Sequence, residues 1–318
     1  MNTHRAPMGM QEGRGLSLAV ISIALLAAGG ILLYTVNQLS GELPQAKAAT
    51  LPASTVDLMS AARKGDTVAI DAAIKAGAKP DQVVETSGGR SGMTALMVAA
   101  SSGKTEAVAA LLKGGASPNA RAADGKTALM YAAGWGNAGT VQALLDANAR
   151  ANDRSEDGMT ALMLAAARGE MASLTAIRNA GADMGARNKW GQTALMAAAV
   201  AGDAEKIRAL LNAGAAANEF DRDGKSPLLL AAESDHGVGA VQALLEAHAE
   251  VNASDADGLT PIMKAALKGD ADMVAALLKS GASVTQKDKG GMNALDWAAT
   301  RTDAQGEAVK SILSQAKK

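Results

Sequence analysis

Hydrophobic positions recur along most of the chain as pairs of apolar stretches separated by polar turns. In the second stretch of a pair the apolar side chains stand at i, i+3 and i+4, as at Val108, Leu111 and Leu112. That spacing places them on one face of an α-helix. The first stretch contains a pair of alanines, which permits close contact between helices, and a polar segment rich in Asp and Gly follows the second. The pattern predicts helix pairs, each followed by a β-turn finger.

A fixed period places these pairs in register. Seven glycines stand 33, 33, 33, 33, 34 and 33 residues apart, at Gly92, Gly125, Gly158, Gly191, Gly224, Gly258 and Gly291. Two residues after each of the first six, a Thr or Ser begins a phrase such as Thr-Ala-Leu-Met, at Thr94, Thr127, Thr160, Thr193, Ser226 and Thr260. These hydroxyls suit the N-cap of a helix, and Pro227 and Pro261 suit its first position. A period of this length indicates a stack of structural repeats.

Residues that tolerate a positive φ mark the predicted helix ends. We expect a glycine with positive φ to stop each first helix, at Gly103, Gly136, Gly169, Gly202 and Gly269. The second helix is expected to end at Gly115, Gly181, Gly214 and Gly281, or at Asn148 and His248.

The unit of helix, turn, helix and finger, with its Thr-x-Leu-x-x-Ala-Ala-x-x-Gly phrase, resembles the ankyrin repeat. The resemblance covers residues 55–318 and implies a mainly α fold, an ankyrin-repeat α-solenoid of about eight helix pairs with β-turn fingers, whose repeats start near residues 55, 92, 125, 158, 191, 224, 258 and 291. One departure is systematic, because Met stands where the ankyrin phrase has His, at Met97, Met130, Met163, Met196 and Met263. We expect these methionines to act as flexible apolar fillers in place of a polar bridge.

A long apolar run precedes the repeats. Residues 16–36 contain no charged side chain and are long enough to form a transmembrane helix, with residues 1–15 as a tail and 37–54 as a linker. Arg5 and Arg14 precede the run, which predicts a cytoplasmic tail and a repeat domain on the other side of the membrane. The simplest placement is a bacterial inner membrane, crossed once, with the repeats in the periplasm. The alternative is a signal peptide cleaved near Ala46-Lys47-Ala48, leaving a soluble periplasmic protein.

Composition and motifs argue against catalysis. The formal net charge is -1 and there is no Cys, so neither nucleic-acid binding nor thiolate chemistry is expected. The three histidines lack metal spacing, and Gly134–Gly139 matches the dinucleotide fingerprint without a preceding strand. Asp221–Gly224 and Asp255–Gly258 are similar to calcium loops but lack the bidentate Glu. We therefore predict no enzyme activity, cofactor, metal or small-molecule substrate.

Scarce aromatic residues identify a candidate binding surface. Trp135 falls at the end of a first helix, Trp190 and Phe220 fall in fingers, and Trp297 falls among apolar positions that favour packing. The resemblance implies that a partner docks on the fingers and the concave face. The candidate contacts are Trp135, Trp190, Phe220, Arg121, Lys126, Arg154, Arg168, Arg187, Lys189 and Arg222. Trp and Arg are enriched in binding hot spots, although packing over a neighbouring repeat would also explain the two tryptophans.

These features predict a non-catalytic protein–protein interaction scaffold that is tethered to the membrane and whose partner is another protein. One alternative is an immunity or inhibitor protein for an envelope enzyme. Another is a structural or assembly subunit of a larger membrane complex, with its membrane helix packed through small residues such as Ala24 and Ala28.

Overall fold

A computed structural model of the chain describes residues 53–83 and 92–316. The predicted tail at 1–15, the predicted membrane helix at 16–36 and nearly all of the linker at 37–54 lie outside these residues, as does most of the first finger. Among the described residues, no helix is long and apolar enough to cross a bilayer.

The described residues form sixteen helices arranged as eight pairs, which confirms the predicted repeat architecture. They are α1 (Ala53–Lys64), α2 (Thr67–Lys75), α3 (Ala95–Ser101), α4 (Thr105–Lys113), α5 (Ala128–Trp135), α6 (Ala138–Asp146), α7 (Ala161–Arg168), α8 (Met171–Asn179), α9 (Ala194–Ala201), α10 (Ala204–Asn212), α11 (Pro227–Glu233), α12 (Gly237–Glu246), α13 (Pro261–Lys268), α14 (Ala271–Lys279), α15 (Ala294–Ala299) and α16 (Ala304–Ala316). The odd-numbered first helices pack on one another in one layer, and the even-numbered second helices pack in another.

The first helices are buried on almost every side. In α5 every residue from Ala128 to Gly134 is buried, and Trp135 alone is exposed. Each first helix from α3 to α13 has first helices on both flanks and a second helix against it, so small residues are needed along it. The alanine pairs, such as Ala99 and Ala100, fill this role. The second helices bury one stripe only, such as Val108 and Leu111 in α4.

Hydroxyl caps begin the first helices as predicted, with one exception. The hydroxyl of Thr94 accepts a hydrogen bond from the Met97 N–H at 3.4 Å, and Thr127, Thr160, Thr193 and Ser226 do the same in their repeats. At Thr260 the Met263 N–H bonds instead to the backbone carbonyl, at 3.1 Å, so the predicted hydroxyl cap is absent there.

The repeated methionines have a polar role that the sequence prediction missed. The Met97 sulfur accepts a hydrogen bond from the Thr94 N–H at 3.4 Å, and Met196 and Met263 accept from Thr193 and Thr260 at 3.5 Å. A thioether is a weak acceptor, but it satisfies a buried N–H at the helix start. Calling these side chains only apolar fillers was therefore wrong in three repeats.

The turn glycines fall into two groups. Gly103, Gly202 and Gly269 have positive φ, of 64°, 70° and 75°, as predicted. The prediction was wrong at Gly136 and Gly169, whose φ values are -86° and -74°. Glycine is required at these two positions because the backbone of the preceding repeat lies very close. A Cβ at Gly136, for example, would stand 2.5 Å from the Ala100 carbonyl oxygen of that repeat.

The predicted ends of the second helices are confirmed. Asn148 and His248 adopt φ values of 62° and 58°, and the glycines at the equivalent positions are also left-handed, at Gly115, Gly181, Gly214 and Gly281. Asn tolerates this conformation better than most residues, which explains its use in place of glycine.

Candidate partner-binding surface

The fingers from Ala122 onwards are joined in series along the stack by backbone hydrogen bonds. Within a finger the Asp221 N–H bonds to the Lys225 carbonyl at 3.0 Å, which closes a tight turn. Between fingers the Glu156 N–H bonds to the Asp124 carbonyl at 3.0 Å, and the same bond recurs from Arg222 to Trp190 at 2.9 Å. These bonds hold each finger at a fixed offset from the next, so side chains at equivalent positions form rows.

One such row consists of asparagines whose side chains form hydrogen bonds with the backbone of the next repeat. Asn119 accepts from the Arg150 N–H at 2.8 Å, and Asn152 accepts from the Asp183 N–H at 2.7 Å. Asn252 accepts from the Ser283 N–H at 2.7 Å and donates to the Gly281 carbonyl at 3.2 Å. Both ends of the Asn252 amide are therefore engaged within the stack, although Asn252-Ala-Ser254 matches a glycosylation sequon.

A second row contains three of the predicted contact residues. The guanidinium of Arg121 donates to the Arg154 carbonyl at 2.5 Å, that of Arg154 donates to the Arg187 carbonyl, and that of Arg187 donates to the Phe220 carbonyl at 2.7 Å. Each arginine thus reaches the residue 33 positions further along the chain. We call Arg121, Arg154 and Arg187 the arginine row.

The three aromatic residues of the candidate surface are exposed. Trp135, Trp190 and Phe220 have 39%, 45% and 40% of their surface accessible, far more than a packed aromatic side chain would show. Cations lie against two of the rings, since the Lys189 ammonium is 4.6 Å from the Trp190 centroid and the Arg168 guanidinium is 5.4 Å from that of Trp135. Such contacts hold a ring in place without covering its outer face.

The other predicted cations differ in their engagement. Lys126 pairs with Asp124 at 2.6 Å, and Lys189 pairs with Asp157. Arg222 is exposed, and its side chain has no hydrogen-bond or ion-pair partner in the described part of the chain. Trp297 behaves as predicted for a packing residue, because it lies against the core and its indole N–H donates to Asp288 at 2.8 Å.

The aspartates of the two segments that are similar to calcium loops take part in turn formation. The Asp221 carboxylate accepts from the N–H groups of Asp223 and Lys225, at 3.0 and 2.9 Å. Asp255 repeats this arrangement with Asp257 and Leu259, both at 2.9 Å. Gly134 of the dinucleotide-like motif is buried within α5. These residues thus have structural roles in their own repeats.

The model for ankyrin repeats (three copies) matches residues 58–155, 162–255 and 234–318. These ranges cover most of the chain. The chain belongs to the ankyrin-repeat family. No curated protein matches it. Members of this family are generally protein–protein interaction modules without catalytic activity.

A charged cluster on the first helices of this ankyrin stack was not predicted. Glu233, the last residue of α11, accepts from Lys225 at 2.8 Å and from Lys264 of the next repeat at 2.7 Å. Burial alone would raise the pKa of the Glu233 carboxyl, but these two ammonium groups outweigh it and hold that pKa below its usual value. Burial would likewise lower the pKa of Lys225, whereas its bond to Glu233 raises it above the usual value.

The end of α11 also shows how the ankyrin stack accommodates the extra residue of its 34-residue repeat. The link Ser234–His236 joins α11 to α12 without a glycine, whereas the links within the five helix pairs from α1 to α10 and within the pair α13 and α14 each contain one. Lys268 donates to the carbonyls of Glu233 and Ser234, which are the carbonyls left free at the end of α11. Lys268 lies in the repeat after the insertion, so its hydrogen bonds to the end of α11 could not be predicted from the sequence of that repeat.

Proposed function

We propose that this chain is a non-catalytic scaffold that binds another protein on the fingers and first-helix face of its middle repeats. The exposure of Trp135, Trp190 and Phe220 carries the proposal. A soluble stack gains little stability from large exposed aromatic rings, and such rings are typical anchors of protein interfaces. All three lie in successive repeats, beside the cations Arg168, Lys189 and Arg222.

Replacing the three aromatic residues together is expected to abolish partner binding. The full chain and the Trp135→Ala, Trp190→Ala, Phe220→Ala triple variant would each be crosslinked in intact cells, and the captured proteins compared. Because these side chains are exposed, the helical circular-dichroism signal should stay unchanged. A matched control is Val68→Ala, which removes an exposed apolar side chain from α2 in the first repeat. Unchanged capture by a folded triple variant would contradict the site.

We also propose that residues 16–36 tether the scaffold to a bacterial inner membrane, with the repeats in the periplasm. The charge-free run and the two arginines before it support this placement. Protease added to spheroplasts should therefore degrade residues 55–318 while a cytoplasmic marker survives. Protection of the repeats until the membrane is permeabilised would rule out the outward orientation.

A further inference from the structure

The arginine row combines fixed side chains with unused hydrogen-bonding capacity. Arg121 and Arg154 are exposed, and each donates a hydrogen bond from its Nη2 group to a carbonyl of the next finger. A guanidinium has five N–H donors, so several stay available. Arg187 pairs with Glu219 at 2.6 Å, but Arg121 and Arg154 have no carboxylate within ion-pair distance in the described residues. These two positive charges are therefore held in place and uncompensated by side chains.

The spacing of the row matches an extended protein segment. One arginine is presented per repeat, and packed helices of neighbouring repeats stand about 8–10 Å apart. An extended segment in the polyproline-II conformation has three residues per turn and advances about 3.1 Å per residue, so every third residue lies on the same face and advances about 9 Å. Carboxylates at i, i+3 and i+6 of such a segment therefore coincide with successive guanidinium groups. Because the carbonyl bonds already restrict these arginines, little side-chain freedom is lost on binding.

The row changes character at its end. At the fourth position Phe220 replaces arginine, and its exposed ring lies in the finger next to that of Trp190. Arg222, two residues further on, is the unpartnered cation described above. The end of the row thus offers an apolar anchor point with a free positive charge beside it.

We propose that Arg121, Arg154, Arg187 and Phe220 dock an extended acidic segment of a partner protein, with carboxylates three residues apart and an apolar side chain against Phe220 and Trp190. This inference rests on the proposed function and specifies the partner for it. The nearby acids Asp124 and Asp157 are neutralised by Lys126 and Lys189. Asp153 and Glu156 flank Arg154 in the chain and form no ion pair among the described residues, which disfavours a segment whose carboxylates are contiguous.

Labelled ten-residue peptides test the spacing. One has Glu at every third position with Leu at one end, a second has the Leu at the other end, and a third has the same composition with contiguous Glu. Anisotropy would be measured with the full chain in neutral detergent. We expect one spaced peptide to bind about tenfold more tightly than the contiguous peptide, and salt to weaken it. Equal binding of spaced and contiguous peptides would overturn the proposal, as would tighter binding of a single-stranded oligonucleotide.

Variants test which residues hold the peptide. Arg154→Gln should weaken binding of the spaced peptide about tenfold. Arg208→Gln, in the second helix α10, should leave that binding unchanged. Because Arg154 also joins two fingers, a second variant is needed: Phe220→Arg extends the row and should favour a peptide with a fourth Glu in place of Leu. Full binding by a folded Arg154→Gln variant, or no change of preference in Phe220→Arg, would refute the inference. Aromatic-dependent capture in cells would then still support the proposed function.

Discussion

Gly136→Ala is expected to lower the free energy of unfolding by about 2–3 kcal/mol, an overpacking cost. The φ of Gly136 is -86°, outside the left-handed region that favours glycine, so a positive φ is not the obstacle. The new methyl group would instead stand 2.5 Å from the Ala100 carbonyl and 2.7 Å from the Thr140 hydroxyl. Ala100 belongs to the preceding repeat, and the stack would have to separate locally to make room. Urea unfolding followed by circular dichroism would measure the change.

Two other glycines separate steric crowding from backbone strain. Gly181 has a φ of 82° and open space around an added Cβ, so Gly181→Ala should cost about 1 kcal/mol through backbone strain alone. Gly185→Ala should leave the free energy of unfolding nearly unchanged, because the atom nearest to the added Cβ would be an Asp183 carboxylate oxygen at 3.6 Å. If Gly136→Ala costs no more than Gly181→Ala, the proposed close approach of neighbouring repeats is incorrect.

These glycines show where sequence reasoning stops. Repeat boundaries, caps and second-helix ends could be predicted because each depends on local chemistry repeated in register. The sequence does not show whether a turn glycine such as Gly136 is needed for a positive φ or for a close approach between repeats. At Gly136 the answer depends on the distance to Ala100 of the preceding repeat, and the sequence of one repeat does not specify that distance. The hydrogen bond to the Met196 sulfur was missed for a different reason: the sequence places Met196 in the first turn of a helix, but only its side-chain conformation brings the sulfur to the Thr193 N–H.

The candidate site divides in the same way. The exposure of Trp135, Trp190 and Phe220 followed from their repeat positions. The carbonyl bonds of the arginine row could not be foreseen, because they join residues a full repeat apart across two fingers. The Glu233 cluster was missed as well, although one signal was present: an acid stands at the end of α11 where the repeat is interrupted. Contacts between repeats, rather than within them, account for most of what the sequence left open.

Leu162→Ala is expected to destabilise the protein by about 2–5 kcal/mol, the cost of a large cavity in a core. Leu162 is fully buried in α7, near the middle of the stack. In a solenoid each repeat depends on its neighbours, so loss of a central repeat should uncouple the two sides and broaden or split the urea transition. Hydrogen exchange resolved by repeat would show protection falling first around α7.

Leu313→Ala provides the matched control, because Leu313 is equally buried but lies in α16, at the end of the described stack. Its loss should release the last repeat alone and leave the main transition almost unchanged, since only one interface depends on it. The comparison bears on function, because the arginine row spans the repeats around α7. Leu162→Ala should therefore weaken partner binding under mild urea, whereas Leu313→Ala should not. Equal loss of binding in both variants would mean that the stack unfolds as one cooperative unit.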